Sequence, residues 1–348
     1  MITQIASTTH EAVYQVSDDE SGLSGFIALH STRLGPAAGG LRMREYDNAQ
    51  AALEDVLNLS RGMTYKNAAA GLPLGGGKAV IMGNPATAKT PELLRAMGRA
   101  VEALQGRYWT AEDMGMNPED MSELARETRF VAGLDTGDHA SGDPSPVTAE
   151  GVFNAMKVGA AHRFGGADLG GKTVAVQGLG HVGWHLCRML DAAGANLIVA
   201  DMDAARTAGT VKEFGAEAAA PDTIHRVPAD IFAPCAIGGI LNAQTIPELR
   251  VDLVCGAANN QLATASDADL LVDKGILYLP DYVANGGGII NVAAEILKIS
   301  DRGPWVAEKL ETLRQTMERI LSKARTERSS PAHVADRTVD ELILQEAV

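Results

Sequence analysis

Residues 172–201 constrain the fold more than any other stretch of the chain. Lys172-Thr173-Val174-Ala175-Val176-Gln177 reads as a short apolar strand and runs straight into Gly178-Leu179-Gly180-His181-Val182-Gly183. A helix follows through Trp184, Leu186, Cys187 and Leu190, and Gly194 stops it. Asn196-Leu197-Ile198-Val199-Ala200 is the next strand, and it ends at Asp201. A lone G-x-G-x-x-G is a weak signal. At a strand-to-helix turn, with an acid closing the second strand about 20 residues on, it is the dinucleotide fingerprint of a doubly wound α/β domain. Gly178 permits the tight turn, Gly180 lets backbone approach a pyrophosphate, and Gly183 packs helix on strand. The helix opens at His181 and Val182, where free N–H groups and the dipole favour an anion. Asp201 accepts hydrogen bonds from a ribose and repels a 2′-phosphate, so NAD rather than NADP is expected. A βαβ unit that binds nothing is the competing reading, and the context argues against it.

Three more strand signals follow, at 230–234, 251–255 and 276–280. Each leads into a polar or glycine-rich loop: 235–239, 256–260 and 281–288. Ligands bind beyond the carboxyl ends of parallel strands, so these loops are expected to line the cofactor crevice. Ala236, Ile237, Ala257 and Asn259 are the candidates there. Asn259 and Asn260 can donate to a carboxamide or a carboxylate, and asparagine serves a plain turn equally well. A helix over 289–297 starts with Ile289 and Val292.

With 348 residues the chain has room for two domains. Apolar content of 46% and charged content of 21% describe a soluble globular protein. A formal net charge of −14 argues against nucleic acid or an anionic membrane as partner. The first residues lack a basic segment followed by an apolar core, and no apolar run is long enough to span a bilayer. Cys187, Cys235 and Cys255 are few and far apart, which fits reduced thiols in a cytoplasm. None has zinc-finger spacing, and no metal is expected.

The N-terminal half carries a second cluster of signals. Residues 11–32 alternate as a β-hairpin around a polar turn at 17–24. Residues 34–42, with Gly39, Gly40 and Ala38, read as a loop or strand edge with closely approached backbone. Residues 48–63 form an amphipathic helix with Ala52, Val56 and Leu59 on one face, and Lys66 follows in the connection. Gly75-Gly76-Gly77-Lys78 then offers bare backbone to a ligand and a lysine at a strand edge. Desolvation disfavours an ammonium, which suits such a lysine to proton transfer near neutral pH. It is not a nucleotide P-loop, because Ala79 stands where a hydroxyl is needed. The competing reading is a glycine turn and an exposed lysine. Residues 107–115 read as a short strand ending in Glu112 and Asp113, placed either for proton transfer or to cap the helix that Pro118 starts. Residues 133–146 read as a crossover loop, and Ser145-Pro146-Val147-Thr148 opens a helix over 149–162. Amphipathic helices over 303–324 and from Pro331 onward close the chain.

Taken together, these motifs resemble the amino-acid dehydrogenases of the glutamate, leucine, phenylalanine and valine type. The resemblance rests on Gly39-Gly40-Leu41-Arg42, Met63-Thr64-Tyr65-Lys66, Gly75-Gly76-Gly77-Lys78, Ala111-Glu112-Asp113, Ser145-Pro146-Val147-Thr148, Gly178 to Gly183, Gly256-Ala257-Ala258-Asn259-Asn260 and Asn285-Gly286-Gly287-Gly288. It spans about Leu34 to Val292. It implies an α/β protein of two domains separated by a cleft: an N-terminal substrate-binding and oligomerisation domain, residues 1–132, and a C-terminal Rossmann domain, residues 133–330. The last helix, about 331–348, would return to the first domain.

By the same resemblance, Lys66 holds the substrate α-carboxylate, Lys78 activates water and polarises the carbonyl, and Asp113 relays protons to and from the amino nitrogen. Gly39, Gly40, Ala38, Met63, Ala111, Asn260, Ile289 and Val292 line the substrate, and Thr148 and Asn259 lie near the nicotinamide. Glutamate enzymes place a lysine where this chain has Ala38, so glutamate is not the expected substrate. Ala38 looks like some phenylalanine enzymes, whereas Ala111 resembles the leucine and valine type, and Ile289 and Val292 are bulky and aliphatic. His181 departs from the more usual Asn or Ala. The expected activity is NAD-dependent oxidative deamination of a branched-chain L-amino acid by a homo-oligomer. An aromatic amino acid such as L-phenylalanine is the alternative substrate, and a non-catalytic NAD-binding regulator is the reading from another class.

Overall fold

The computed structural model describes residues 1–137 and 139–345. Among them the chain forms two six-stranded sheets, each within its own compact unit. The first unit takes in Met1–Pro144, Ile289–Ala307 and Glu341–Val348, and the second Ser145–Gly288 and Glu308–Asp340.

The first unit contains β1 (Ile2–Ile5), β2 (Ala12–Asp18), β3 (Leu23–Ser31), β4 (Ala37–Arg44), α1 (Ala49–Ala69), β5 (Gly75–Met82), α2 (Pro91–Glu102), β6 (Tyr108–Glu112) and α3 (Pro118–Leu124). Its sheet runs β1-β2-β3-β5-β4-β6, with β5, β4 and β6 mutually parallel and the other pairings antiparallel. The hairpin is β2–β3. Strand alternation divides the core in two. Ile27, Leu29, Leu41 and Ile81 face α2 through Leu93, Leu94, Met97 and Val101. Phe26, Val80 and Val13 face α1 through Ala52 and Val56. Gly76, Lys78 and Val80 share one face of β5, and Gly40 and Arg42 the same face of β4.

Two expectations are corrected here. Residues 37–44 are an interior strand rather than a loop or edge, and Lys78 sits mid-strand on β5, between β3 and β4, not at an edge. The glycines that read as turn signals admit neighbouring backbone. A β-carbon on Gly76 would lie 2.1 Å from the backbone nitrogen of Thr64 on α1, and one on Gly75 would lie 2.0 Å from the Ser31 carbonyl oxygen. One on Gly77 would meet the Tyr108 ring at 2.7 Å. The stretch is bare so that helix and strands can close on it.

Helix α1 begins at the cap Asn48, whose side chain accepts the Ala51 N–H at 3.0 Å. It continues past Met63 to Ala69, which puts Lys66 on the helix. Leu59 is only half-buried. From Ser60 onward the buried face mixes Tyr65, Ala68 and Ala69 with three polar side chains that reach other segments. Ser60 Oγ meets His10 Nε2 at 3.0 Å, Thr64 Oγ1 meets His30 Nδ1 at 2.9 Å, and Asn67 Nδ2 donates to the Gly75 carbonyl at 2.6 Å.

The second unit carries α4 (Ser145–Phe164), β7 (Thr173–Gln177), α5 (His181–Ala192), β8 (Asn196–Ala200), α6 (Ala204–Phe214), β9 (Glu217–Ala218), β10 (Ile231–Pro234), β11 (Leu253–Val254), α7 (Asp267–Asp273), β12 (Leu277–Tyr278) and α8 (Asp281–Ala284). Its strands are all parallel in the order β12-β11-β10-β7-β8-β9. That is the doubly wound order, and the direction of winding reverses between β7 and β10. Helices α9 (Gly287–Ile296), α10 (Arg302–Glu327) and α11 (Pro331–Gln345) follow. The return to the first unit is made already at Ile289–Ala307. There Glu295 accepts the N–H groups of Gly133 and Ser141 at 2.7 and 3.0 Å, and Arg302 donates to the Ser141 carbonyl at 2.8 Å. Among the described residues no helix is long and apolar enough to cross a membrane.

Candidate active site

In the first unit, three strands set side by side the groups that can move a proton. The Lys78 side chain is 4% exposed on β5, and its ammonium donates to Asp113 Oδ2 just beyond β6. Asp113 Oδ1 accepts from Arg42 Nε on β4 at 3.0 Å and from the Met114 N–H at 2.7 Å. Gly40 lies between them. A β-carbon there would stand 2.8 Å from Asp113 Cβ and 3.1 Å from Lys78 Nζ, so the pair can meet only across a glycine. Burial alone would raise the Asp113 carboxyl. The charges of Lys78 and Arg42, with the hydrogen bonds from Lys78 and the Met114 N–H, outweigh it and hold Asp113 well below the usual carboxylate range. Capping falls elsewhere: α3 is capped by Asn117, with Asp120 completing the capping box. The capping alternative for Asp113 and Glu112 is therefore excluded.

The other first-unit candidates divide by what surrounds them. A β-carbon on Gly39 would lie 2.9 Å from Met63 Cγ, so α1 rests against β4 at this point. Lys66 is half-buried three residues beyond Met63, which places both on one face of the helix. The carbonyls of Gly39 and Gly40 face the Tyr108 hydroxyl, which donates to Gly40 at 3.1 Å. Ala38 and Ala111 are buried on β4 and β6, and Gly40 pairs with Ala111 in register. Ile289 and Val292 are buried on α9.

In the second unit the three fingerprint glycines differ in their surroundings. Gly178 has φ +95°, and a β-carbon there would strike Ala236 at 2.7 Å. One on Gly183 would lie 2.0 Å from the Gly178 carbonyl oxygen. At Gly180 the nearest atom is Arg206 Nη1 at 3.9 Å, so this side of the turn is open. Gly180 also caps α5 without a side-chain hydrogen bond, which leaves the first-turn N–H groups at His181 and Val182 for an anion. Asp201 Oδ2 accepts the Leu179 N–H at 2.6 Å and Oδ1 the Asp203 N–H at 2.8 Å, so the acid braces the turn from the end of β8. These residues fit a dinucleotide. Ala236 and Ile237 are exposed beyond β10. Asn285 Nδ2 donates to the Ala257 carbonyl at 3.1 Å and to Asn259 Oδ1 at 2.8 Å. Asn260 adopts φ +52°, the left-handed turn conformation that asparagine tolerates, and its carbonyl accepts the Gly239 N–H at 2.7 Å. Thr148 lies in the first turn of α4, which starts at Ser145.

The model of the Glu/Leu/Phe/Val dehydrogenase dimerisation domain matches residues 10–130, and that of the Glutamate/Leucine/Phenylalanine/Valine dehydrogenase domain matches residues 199–339. The chain belongs to this amino-acid dehydrogenase family. A leucine dehydrogenase of Geobacillus stearothermophilus is 47% identical over 96% of this chain and 90% of its own length. A phenylalanine dehydrogenase of Lysinibacillus sphaericus is 48% identical over 82% of this chain and 77% of its own. Among solved structures, the L-tryptophan dehydrogenase of Nostoc punctiforme superposes with a TM-score of 0.84 at 40% identity, covering 97% of each chain. The protein is thus an amino-acid dehydrogenase, an oxidoreductase that works with a nicotinamide dinucleotide.

One side chain of this dehydrogenase escaped the sequence reading. Arg42 was visible only as the end of the Gly-Gly-Leu-Arg motif. Its guanidinium spans two acids: Nε on Asp113, and Nη1 on Asp55 of α1 at 3.1 Å, where Asp55 also accepts the Tyr46 hydroxyl at 2.7 Å. Strand alternation was the available signal, since a residue two after Gly40 must share its face.

Proposed function

We propose that this dehydrogenase catalyses the reversible, NAD-dependent oxidative deamination of branched-chain L-amino acids. The observation that carries the proton chemistry is the buried Lys78–Asp113 pair across Gly40, with Asp113 held ionised. Lys66 pairs with the substrate carboxylate. Asp113 takes the proton that frees the amine lone pair. The bound cofactor supplies the acceptor for the hydride that leaves the α-carbon. Lys78 then polarises the water that adds to the imine carbon, and Asp113 returns a proton to the nitrogen, which departs as ammonia. The balance is amino acid, oxidised cofactor and water giving oxo acid, ammonium, reduced cofactor and a proton.

The choice of NAD rests on Asp201, whose carboxylate at the end of β8 repels a 2′-phosphate. Substrate choice rests on Ala38, which puts no cation where a second carboxylate would need one, and on the small Ala111 with the branched Ile289 and Val292. The leucine dehydrogenases aligning over nearly the whole chain support the same choice. We further assign the protein to the cytoplasm, where its three free cysteines fit a reducing milieu, and to a homo-oligomer built on the unit that carries the dimerisation-domain match. The test is catalytic efficiency for L-leucine, L-valine, L-isoleucine, L-phenylalanine and L-glutamate, each with NAD and NADP. A branched-chain amino acid with NAD is expected to lead. A tenfold preference for phenylalanine would overturn the substrate, and equal or better use of NADP would overturn the cofactor.

A further inference from the structure

We infer that Arg42 is a positioning residue for Asp113, anchored from behind by Asp55 and Tyr46. The inference rests on the reading of Asp113 as the proton relay. Its geometry is a fork. Arg42 spends Nε on Asp113 Oδ1 at 3.0 Å and Nη1 on the two Asp55 oxygens at 3.1 and 3.3 Å, while the Tyr46 hydroxyl donates to Asp55 Oδ2 at 2.7 Å. The Arg42 side chain is 12% exposed, so it cannot swing into water without breaking both ends of the fork. With Oδ1 fixed by Arg42 and the Met114 N–H, Oδ2 is the oxygen turned to Lys78. A carboxylate has two equivalent oxygens, and proton transfer to a substrate nitrogen needs one of them presented at a set angle. The fork chooses which.

The charges around Asp113 fix the direction of the expected effects. Lys78 comes from β5, Arg42 from β4, the buried Tyr108 hydroxyl from β6, and Asp55 with Tyr46 stands behind Arg42 on the α1 side. Lys66 adds a cation on α1. Arg42 supplies both charge and orientation, and two substitutions separate them. Arg42→Lys keeps the positive charge, but a single ammonium cannot reach both acids with fork geometry. Arg42→Gln removes charge and fork together.

The experiment measures kcat and KM for L-leucine and titrates the Asp113 carboxyl by carbon-13 NMR, assigned against Asp113→Asn, with NADH affinity read by fluorescence titration as an independent check on folding. Arg42→Lys is expected to lower kcat at least about fivefold, with KM and NADH affinity near those of the native enzyme and the Asp113 carboxyl little moved. Arg42→Gln is expected to lower kcat further and to raise the Asp113 carboxyl by about 1–3 pH units, the size of effect one adjacent charge exerts. Asp55→Asn removes an acid rather than a cation, so the Asp113 carboxyl stays in place or moves down while kcat falls. Should Arg42→Gln fail to fold, Arg42→Lys and Asp55→Asn carry the test alone. Native kcat in Arg42→Lys or in Asp55→Asn, or an Asp113 carboxyl raised in Asp55→Asn as far as a lost cation would raise it, would overturn the inference. A native enzyme that oxidises no amino acid would instead overturn the proposed function, so the two failures are distinguishable.

Discussion

Gly76→Ala separates two uses of the glycine stretch. If the glycines keep backbone bare for a ligand, an added methyl should raise KM and leave the fold alone. The structure gives the opposite expectation. The new methyl would lie 2.1 Å from the Thr64 nitrogen and hydroxyl and 2.6 Å from the Ser60 carbonyl oxygen, where ordinary contact begins at 3.4 Å. The shortfall exceeds an ångström at Thr64, and the Thr64 nitrogen and Ser60 carbonyl oxygen are helix backbone that no rotamer change can move. Inserting one carbon into a packed core costs about 1–3 kcal/mol, and a rigid backbone obstacle places this case at the upper end. Alanine recovers about 0.5–1 kcal/mol through the lower entropy of its unfolded chain, leaving a net loss of roughly 2 kcal/mol. Displacement of α1 also carries Met63 and Lys66 away from β4. We therefore expect an apparent Tm several degrees lower by scanning fluorimetry, together with a raised KM for the amino acid and unchanged affinity for NADH. A variant with native Tm and impaired KM would show that the glycine faces ligand and not helix.

Three further outcomes follow from the same geometry. Lys66→Ala should raise KM for L-leucine about a hundredfold, since a carboxylate left unpaired in a desolvated site costs about 3 kcal/mol, and an amide accepted as well as the free acid would contradict this assignment. The folded Asp113 carboxyl is held below its unfolded value, so it contributes stability above about pH 4 and loses it on further acidification; the denaturation free-energy gap between native protein and Asp113→Asn should shrink from pH 6 to pH 3, and a constant gap would refute it. Ala111→Gly combined with Ile289→Ala should shift the efficiency ratio toward L-phenylalanine, because overpacking of a ring against branched side chains costs about 1–3 kcal/mol, and an unmoved ratio would remove both residues from the pocket wall.

The parts of this fold legible in the sequence are those whose partners are close by in the chain. The nucleotide turn needs only a strand, a helix start and the acid at Asp201, all within residues 172–201, and it folds as read. The course of α1 beyond Met63 was hidden because the polar Ser60, Thr64 and Asn67 interrupt the apolar stripe of the buried face. Their partners His10, His30 and Gly75 come from three other segments. Interior placement of β4 and β5 was hidden for a related reason. Glycine runs signal turns locally, and only the sheet order shows Gly76 lying under a helix. Lys78 and Asp113 were identified by motif, yet their mutual contact depends on β4 lying between β5 and β6. Arg42 needs that same order and α1 as well before its two acids converge on it.

The most direct test of the account is L-leucine oxidation by Lys78→Ala and by Asp113→Asn, with NADH affinity measured on the same preparations. Both residues lie in the first unit, whereas the nucleotide turn is built entirely within the second. The account predicts turnover reduced at least about a thousandfold in each variant, with NADH bound as tightly as by the native enzyme. Turnover within tenfold of native in either variant would contradict it.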